Sequence, residues 1–520
     1  MDLSGVSLFG IVVAMVAYLL GMLSIGFLAS RKNETVGDFY LGGRKLGPFV
    51  TAMSAEASDM SSWLLMGLPG LAYLSGIAEP VWTAVGLAVG TYINWLIVAK
   101  RLRRYSVAAG NAITIPQFFS NRFGDKKKVL TLISALIIVI FFIPYTASGF
   151  SAIGKLFSSL FNVNYHLAMI VGAIVIIGYT MSGGFLAASF TDLVQSVIMT
   201  IALIVVLFFG VSQAGGWNAV IDNAKSLAGQ LSVSMSHIPD EANFFAPGST
   251  SPYGFLTIVS TLAWGLGYFG MPHILLRFMA IEDENKLKLS RRIASIWVVI
   301  AMGVAILIGL IGLGMTKAGV IPELTTSGTS ETIIIKIAHL LSTYGFIPAL
   351  IAGLILSGIM ASTMSTADSQ LLAASSSVSQ DIFVTFFGVQ LSEKKRMRIA
   401  RVSLLVIAVI AVFLAWNPES SVFRIVSFAW AGFGAAFGPL VLFSLFWRRT
   451  NRQGALAGMI VGGAMIFIWK FVVRPMGGIL DIYELLPAFL LSAVAIVIVS
   501  LITSPPEKEV TDVFDKVAGR

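Results

Sequence analysis

Long stretches without a single charge leave this chain few ways to fold. Segments 6–30, 193–216 and 402–418 contain no Asp, Glu, Lys or Arg. Each is near or above the roughly 17–25 residues that a helix needs to cross a bilayer. In hydrocarbon every backbone N–H and C=O must be satisfied within the protein, so a spanning segment of this kind is helical. Composition agrees, with 57% hydrophobic and only 12% charged residues, against about 45–50% and about 25% in soluble domains. The apolar runs number thirteen: 6–30, 48–76, 80–99, 129–157, 164–183, 190–212, 253–272, 293–316, 345–382, 401–416, 423–446, 454–473 and 485–503. The over-long 345–382 is expected to bend. The first helix is expected to stay in the mature protein, because no basic region precedes its apolar run.

The net charge of +9 raises nucleic acid as a partner. The loops answer against it. With the N-terminus outside, the cytoplasmic segments 31–45, 100–128, 277–292, 394–401, 448–452 and 508–520 hold 28 of the 35 basic residues. Arg44 and Arg277 are counted among them. That asymmetry is the positive-inside pattern, and it predicts an outside N-terminus, a cytoplasmic C-terminus and no nucleic-acid partner. The connection 213–252 is expected outside, and the tail 504–520 is expected to be mobile after Ser-Pro-Pro ends the last helix. There is no cysteine, so disulfides and thiolate metal sites are excluded. Four scattered histidines and the absence of a P-loop argue against a metal enzyme or an ATPase. The expectation is no enzyme and no cofactor, with an ion gradient as the energy source.

Polar residues inside a span are costly and mark a site or pathway by default. Three places qualify. Residues 54–63, SAEASDMSSW, place Glu56 and Asp59 among serines, a plausible helix break that would free carbonyls beside a carboxylate for a hard cation such as sodium. The plainer alternatives are an Asp59 paired with Arg44 and a Glu56 at the cytoplasmic mouth. Residues 361–377 line up hydroxyls, among them Ser362, Ser365 and Thr366, around Asp368. Taken alone, helix packing is the better explanation of such a run, and a second oxygen-rich segment is what raises its value as half of a cation site. Residues 263–273, AWGLGYFGMPH, combine Gly265, Gly267, Gly270 and Pro272 with Trp264, Tyr268 and Phe269. This is a breakable helix with aromatic walls for a small solute, or else an interfacial aromatic belt. Spans 2–6 and 7–11 form two five-helix halves whose first helices are the broken ones, as in inverted-repeat transporters. The chain then divides into 1–47, a first repeat 48–212, the loop 213–252, a second repeat 253–446, two further helices in 447–503 and the tail.

The blocks FYLGGRKLGP (39–48), SAEASDMSSWLLMGLPG (54–70), GYTMSGGFLAASFTDLVQ (178–195), WGLGYFGMPHILLRFMA (264–280) and STMSTADSQLL (362–372) resemble the sodium/solute symporter family. Within it they are most similar to the bacterial sodium/proline symporters. The resemblance implies an all-α polytopic membrane protein of the bacterial cell membrane, with 13 transmembrane helices and a LeuT-type 5+5 inverted repeat. It implies sodium binding by Asp59, by the carbonyls of Ala57, Met60 and Ser362, and by the hydroxyls of Ser365 and Thr366. It places Ser61, Ser62, Trp63, Tyr145 and Trp264 around L-proline, to which the aromatic reading adds Tyr268. Arg44, Asp192 and the helix-breaking Pro272 fall to gating or coupling. Two positions depart from the pattern: Ser62 and Ser362 stand where relatives carry glycine and alanine. Glu56 also replaces a small residue. The expected activity is sodium:proline symport. The rivals are another small amino or organic acid, a vitamin or a sugar, and, from another class, a membrane sensor, which would be expected to carry an appended signalling domain.

Overall fold

A computed structural model describes residues 5–30, 35–222 and 255–519. Among them there is no β-strand, and the one bridge, Leu46 to Ile281, is isolated. The helices that matter are α1 (Gly5–Ser30), α2 (Pro48–Ser62), α3 (Leu68–Ser75), α4 (Ala78–Ile93), α5 (Val129–Phe161), α6 (Tyr165–Gln213), α7 (Phe255–Leu262), α8 (Pro272–Ala280), α9 (Leu287–Lys317), α10 (Ile333–Ser342), α11 (Phe346–Ser376), α12 (Glu393–Leu414), α13 (Val422–Phe446), α14 (Arg452–Ile468), α15 (Leu485–Ile502) and α16 (Lys508–Ala518).

Among the described residues ten helices are long and apolar enough to cross a membrane, or eleven if the bent pair α7–α8 is one span. On that measure the expected thirteen is not reached, and the reason is physical. Segment 48–76 is split into helical pieces of 15, 5 and 8 residues, each too short alone. Segment 164–183 is helical, but its apolar part is the short Tyr165–Gly178. It forms the first part of α6, which kinks at Gly184, whose φ of 63° favours glycine.

Other expectations also need correction. Segment 345–382 runs on as one continuous helical element, its last residues (Ser377–Phe386) in π geometry. Arg277 does not sit in a loop. The second half of the broken span continues to Ala280 and buries it. The tail is not loose, because Glu507 and Lys508 start a new helix with an apolar face. Val510 and Phe514 of α16 are buried, and Arg448 holds Asp515 through two guanidinium nitrogens at 2.9 Å. Most of the loop 213–252 lies outside the described residues, as do Arg31 and Lys32.

The architecture places α11 centrally. It packs on α1, α2, α5 and α6, while α13 lies against α5 and the strand-free stretch between α7 and α8. All its residues from Ile355 to Ser376 are buried. An all-buried helix rich in hydroxyls has its polar groups facing protein rather than lipid, which is the setting a buried ion site requires.

Candidate ion and substrate site

The first interruption is a single residue. From Thr51 to Ser62 every side chain of α2 is buried. Ser61 takes φ 49° and ψ −170°, outside helical geometry. A non-glycine residue at positive φ with extended ψ pays on the order of 1–3 kcal/mol. Its own side chain offsets part of that, since Ser61 Oγ accepts the Trp63 N–H at 3.0 Å. The five residues Trp63–Gly67 then continue as a π-helix, a form common at functional sites. The stretch 54–63 thus breaks near its end and stays helical before it.

Beside the break, α11 brings the Ser365 hydroxyl to a carbonyl of α2. Ser365 Oγ lies 2.9 Å from the Ala57 carbonyl and 3.2 Å from that of Ser362. Thr366 Oγ1 lies 3.1 Å from the same Ser362 carbonyl. Four of the expected sodium ligands therefore meet. Met60 is one turn further on, its carbonyl accepting the Trp63 N–H. Asp59 is different. Its carboxylate takes the Tyr268 hydroxyl at 2.5 Å, its carbonyl takes that of Tyr145 at 3.3 Å, and Oδ1 has no hydrogen-bond partner. It does not pair with Arg44, which instead bonds Asn111, Ser106 and the carbonyls of Met279 and Ala112. Arg44 lies outside the spans, where partial burial, with Arg103 nearby, lowers its pKa to about 10.

The second interruption is longer. Residues Ala263–Phe269 form a 3₁₀-helix, and α8 restarts at Pro272 after a 45° bend. In a 3₁₀-helix residues three apart eclipse, so Trp264, Gly267 and Gly270 share one edge. The glycines are required there. A Cβ at Gly267 would collide with the Trp430 indole, and one at Gly270 with the Phe433 carbonyl. Trp264 stands at 5.7 Å from Trp63, 5.4 Å from Phe423 and 5.2 Å from Tyr483, centroid to centroid. Ser62 Oγ and the indole nitrogens of Trp63 and Trp264 are buried without hydrogen-bond partners. These are free polar groups among aromatic walls, the composition of a small-solute pocket. Sequence reasoning missed Phe423, Trp430 and Tyr483, which lie in ordinary apolar runs or a loop and carry no local motif.

Below the hydroxyls lies a second polar layer. Arg277 of α8 reaches Asp192 at 3.2 Å, Ser369 at 2.6 Å and Ser54 at 3.1 Å, and Ser54 donates to Asp192 at 2.6 Å. Arg277 and Asp192 are 1% and 0% exposed. The layer ties α2, α6, α8 and α11 together. Arg277 had a signal that was not used, a cation inside the apolar block HILLRFMA. A comparable signal, Lys155 within an apolar run, marks a buried pair with Glu331 at 2.8 Å.

A helical bundle with two interrupted helices and an oxygen cluster between them defines a membrane transporter. Residues 39–462 match the sodium:solute symporter family. The chain belongs to that family. It is 45% identical over 502 residues to the sodium/proline symporter of Haemophilus influenzae, covering 96% of each chain. It is 42% identical over 496 residues to the high-affinity proline transporter PutP of Bacillus subtilis, covering 95% of this chain and 98% of that one. A substrate-bound, outward-open Na+-coupled sialic acid symporter superposes with a TM-score of 0.77 at 17% identity, over 98% and 100% of the two chains. That likeness shows the fold, which is of the LeuT type.

Proposed function

We propose that the protein carries L-proline into the bacterial cell across the plasma membrane, coupled to sodium, by alternating access, with its N-terminus outside and its C-terminus in the cytoplasm. The observation that carries the reading is the Ser365 hydroxyl, which meets both the Ala57 carbonyl of the interrupted helix and the Ser362 carbonyl that Thr366 also bonds. Neutral and anionic oxygens in a buried setting are the ligands a hard alkali cation takes. Here Ala57, Met60 and Ser362 supply carbonyls, Ser365 and Thr366 supply hydroxyls, and the nearby Asp59 supplies negative charge. The relatives named as proline transporters support proline as the solute.

Proline offers a carboxylate, a secondary ammonium and an apolar ring. The break at Ser61 and Ser62 offers the carboxylate a hydroxyl and backbone donors. Trp63, Tyr145, Trp264 and Tyr268 offer ring faces. Asp59 joins the two ligand regions, since it lies on the ion-binding helix and bonds Tyr268 of the aromatic one. Sodium that orders α2 thereby strengthens proline binding, and proline strengthens sodium binding by the same factor. Pro272 starts the second half of one interrupted helix, Arg44 lies just before the other, and Asp192 of α6 bonds Ser54 of that helix, so that the three serve their movement. The division into repeats 48–212 and 253–446 follows the same reading.

The test is uptake of labelled proline by proteoliposomes of the purified protein under an imposed sodium gradient. Accumulation that collapses with the gradient is the expected result. Absence of proline uptake, with a competing solute accumulated instead, would refute proline as the substrate.

A further inference from the structure

The helix pair α14–α15 lies outside both proposed repeats, yet it reaches the aromatic site. Near the end of the connection between the two helices, residues 469–484, stands Tyr483, which is fully buried. Its ring lies on that of Trp264, with centroids 5.2 Å apart and planes inclined by 22°. Trp63 and Phe423 meet the same indole at steeper angles, 35° and 47°. Trp430 is also near parallel, at 29°, but its centroid is 6.4 Å away. The Trp264 indole nitrogen has no hydrogen-bond partner. No polar bond of its own therefore sets the angle of this ring, and the close stack on Tyr483 does.

Tyr483 is itself held from several directions. Its hydroxyl donates to the Ser427 carbonyl of α13 at 2.7 Å, and its backbone N–H donates to Ser260 Oγ of α7 at 2.6 Å. The next residue, Glu484, is fully buried and pairs with Arg474 at 3.2 Å and Lys470 at 3.4 Å. Arg474 also pairs with Asp481 at 3.0 Å. These pairs close the connection on itself. Leu485 continues the contact: a Cβ on Gly434 would come within 2.7 Å of it and 2.8 Å of the Gly267 backbone. Filling space would ask only for an apolar residue of similar size. The bonded hydroxyl and bonded N–H instead fix where the ring stands and how it faces Trp264.

We propose that Tyr483 is a positioning residue for solute binding: it sets the Trp264 ring that packs the solute, and the ion-paired connection 469–484 holds it there. The inference rests on the reading of Trp264 as a wall of the solute site. It makes the α14–α15 pair, which carries none of the proposed sodium ligands, a determinant of solute affinity.

Uptake of labelled proline by proteoliposomes tests it, measured against proline at saturating sodium and against sodium at saturating proline. Losing an aromatic pair corresponds to a factor of roughly two to ten. Tyr483→Leu should raise half-maximal proline by that factor, with half-maximal sodium and the maximal rate close to wild type. Tyr483→Phe keeps the stack and should recover most of the affinity. Trp264→Leu should raise half-maximal proline by itself, and adding Tyr483→Leu should raise it no further, because Tyr483 acts through that ring. Should Tyr483→Leu fail to fold, Ser260→Ala removes an anchor and no ring. It should still raise half-maximal proline, and no rise there overturns the proposal. Unchanged half-maximal proline in Tyr483→Leu, or a further equal rise on top of Trp264→Leu, also overturns it and leaves the proposed symport standing. Wild-type vesicles that take up no proline overturn both.

Discussion

The two interrupted helices are broken by opposite means. In α2 one residue, Ser61, leaves helical geometry, and the chain recovers at once as a π-helix. Between α7 and α8 seven residues are wound as a 3₁₀-helix before the 45° bend. At about 2.0 Å rise per residue rather than 1.5 Å, those seven cover roughly 14 Å instead of 10.5 Å. The short break keeps the Ala57 carbonyl on a rigid turn facing Ser365. The long one stretches the chain between Trp264 and Tyr268, and Gly267 between them lets the Trp430 indole pack close. Rigidity suits an ion, whose ligands must converge on a point. An extended edge suits a solute with a carboxylate at one end and a ring at the other. The two are joined at two levels, by Tyr268 on Asp59 and by Arg277 on Ser54 and Asp192.

The deeper joint should be the stronger. Arg277→Met keeps the bulk but leaves Asp192 buried without its cation, which costs about 3–5 kcal/mol. The expected outcome is a large drop in thermal stability of the detergent-purified protein, measured by unfolding of intrinsic tryptophan fluorescence. The double variant Arg277→Met with Asp192→Asn should recover much of it. Arg448→Met removes a solvent-exposed pair and should change little. A loss in Arg277→Met no larger than in Arg448→Met would dissolve the claim that the two interrupted helices are tied at their inner ends.

Ligand removal separates the two breaks. Ser365→Ala deletes an oxygen at the short break and should weaken sodium activation of uptake at least about ten-fold, with little change in proline affinity at saturating sodium. Tyr268→Phe lies on the joint and should disturb both the ion and the solute. A hydrogen bond to a charged group is worth about 1.5–3 kcal/mol, or roughly ten- to hundred-fold. The comparison fails if Ser365→Ala alters proline affinity as strongly as Tyr268→Phe does.

Much of this was readable in the sequence because lipid makes polarity conspicuous. Asp59, Ser61, Ser365 and Thr366 stand out inside apolar runs, and the spacing of glycines after Trp264 announces a break. What was unreadable depends on where distant residues meet. Hydropathy places Arg277 in a loop because a polar stretch, EDENK, follows its helix within a few residues, and a boundary cannot be read that closely. Phe423, Trp430 and Tyr483 are rings in separate parts of the chain. Nothing local says that they close over Trp264, since that contact exists only after α13 and the start of α15 have packed. The docked tail was missed for a related reason. The alternation in KEVTDVFDKVA reads as a charged end until Arg448 and the core offer it a surface.

The finest division lies within Asp59 itself, which accepts from one tyrosine at each of two places. Tyr268 bonds its carboxylate at 2.5 Å, and Tyr145 bonds its carbonyl at 3.3 Å. The carbonyl bond is longer and has a neutral acceptor, for which a net contribution of about 1 kcal/mol is usual. Tyr145→Phe keeps the ring against the pocket and removes only that bond. Half-maximal sodium for uptake should therefore rise by roughly five-fold, less than for Tyr268→Phe. The maximal rate at saturating sodium and proline should be close to wild type, because the aromatic wall is intact. If Tyr145→Phe were the more damaging of the two, the carbonyl and not the carboxylate would be the point where the short break senses the long one. The charge on Asp59 would then serve the ion alone.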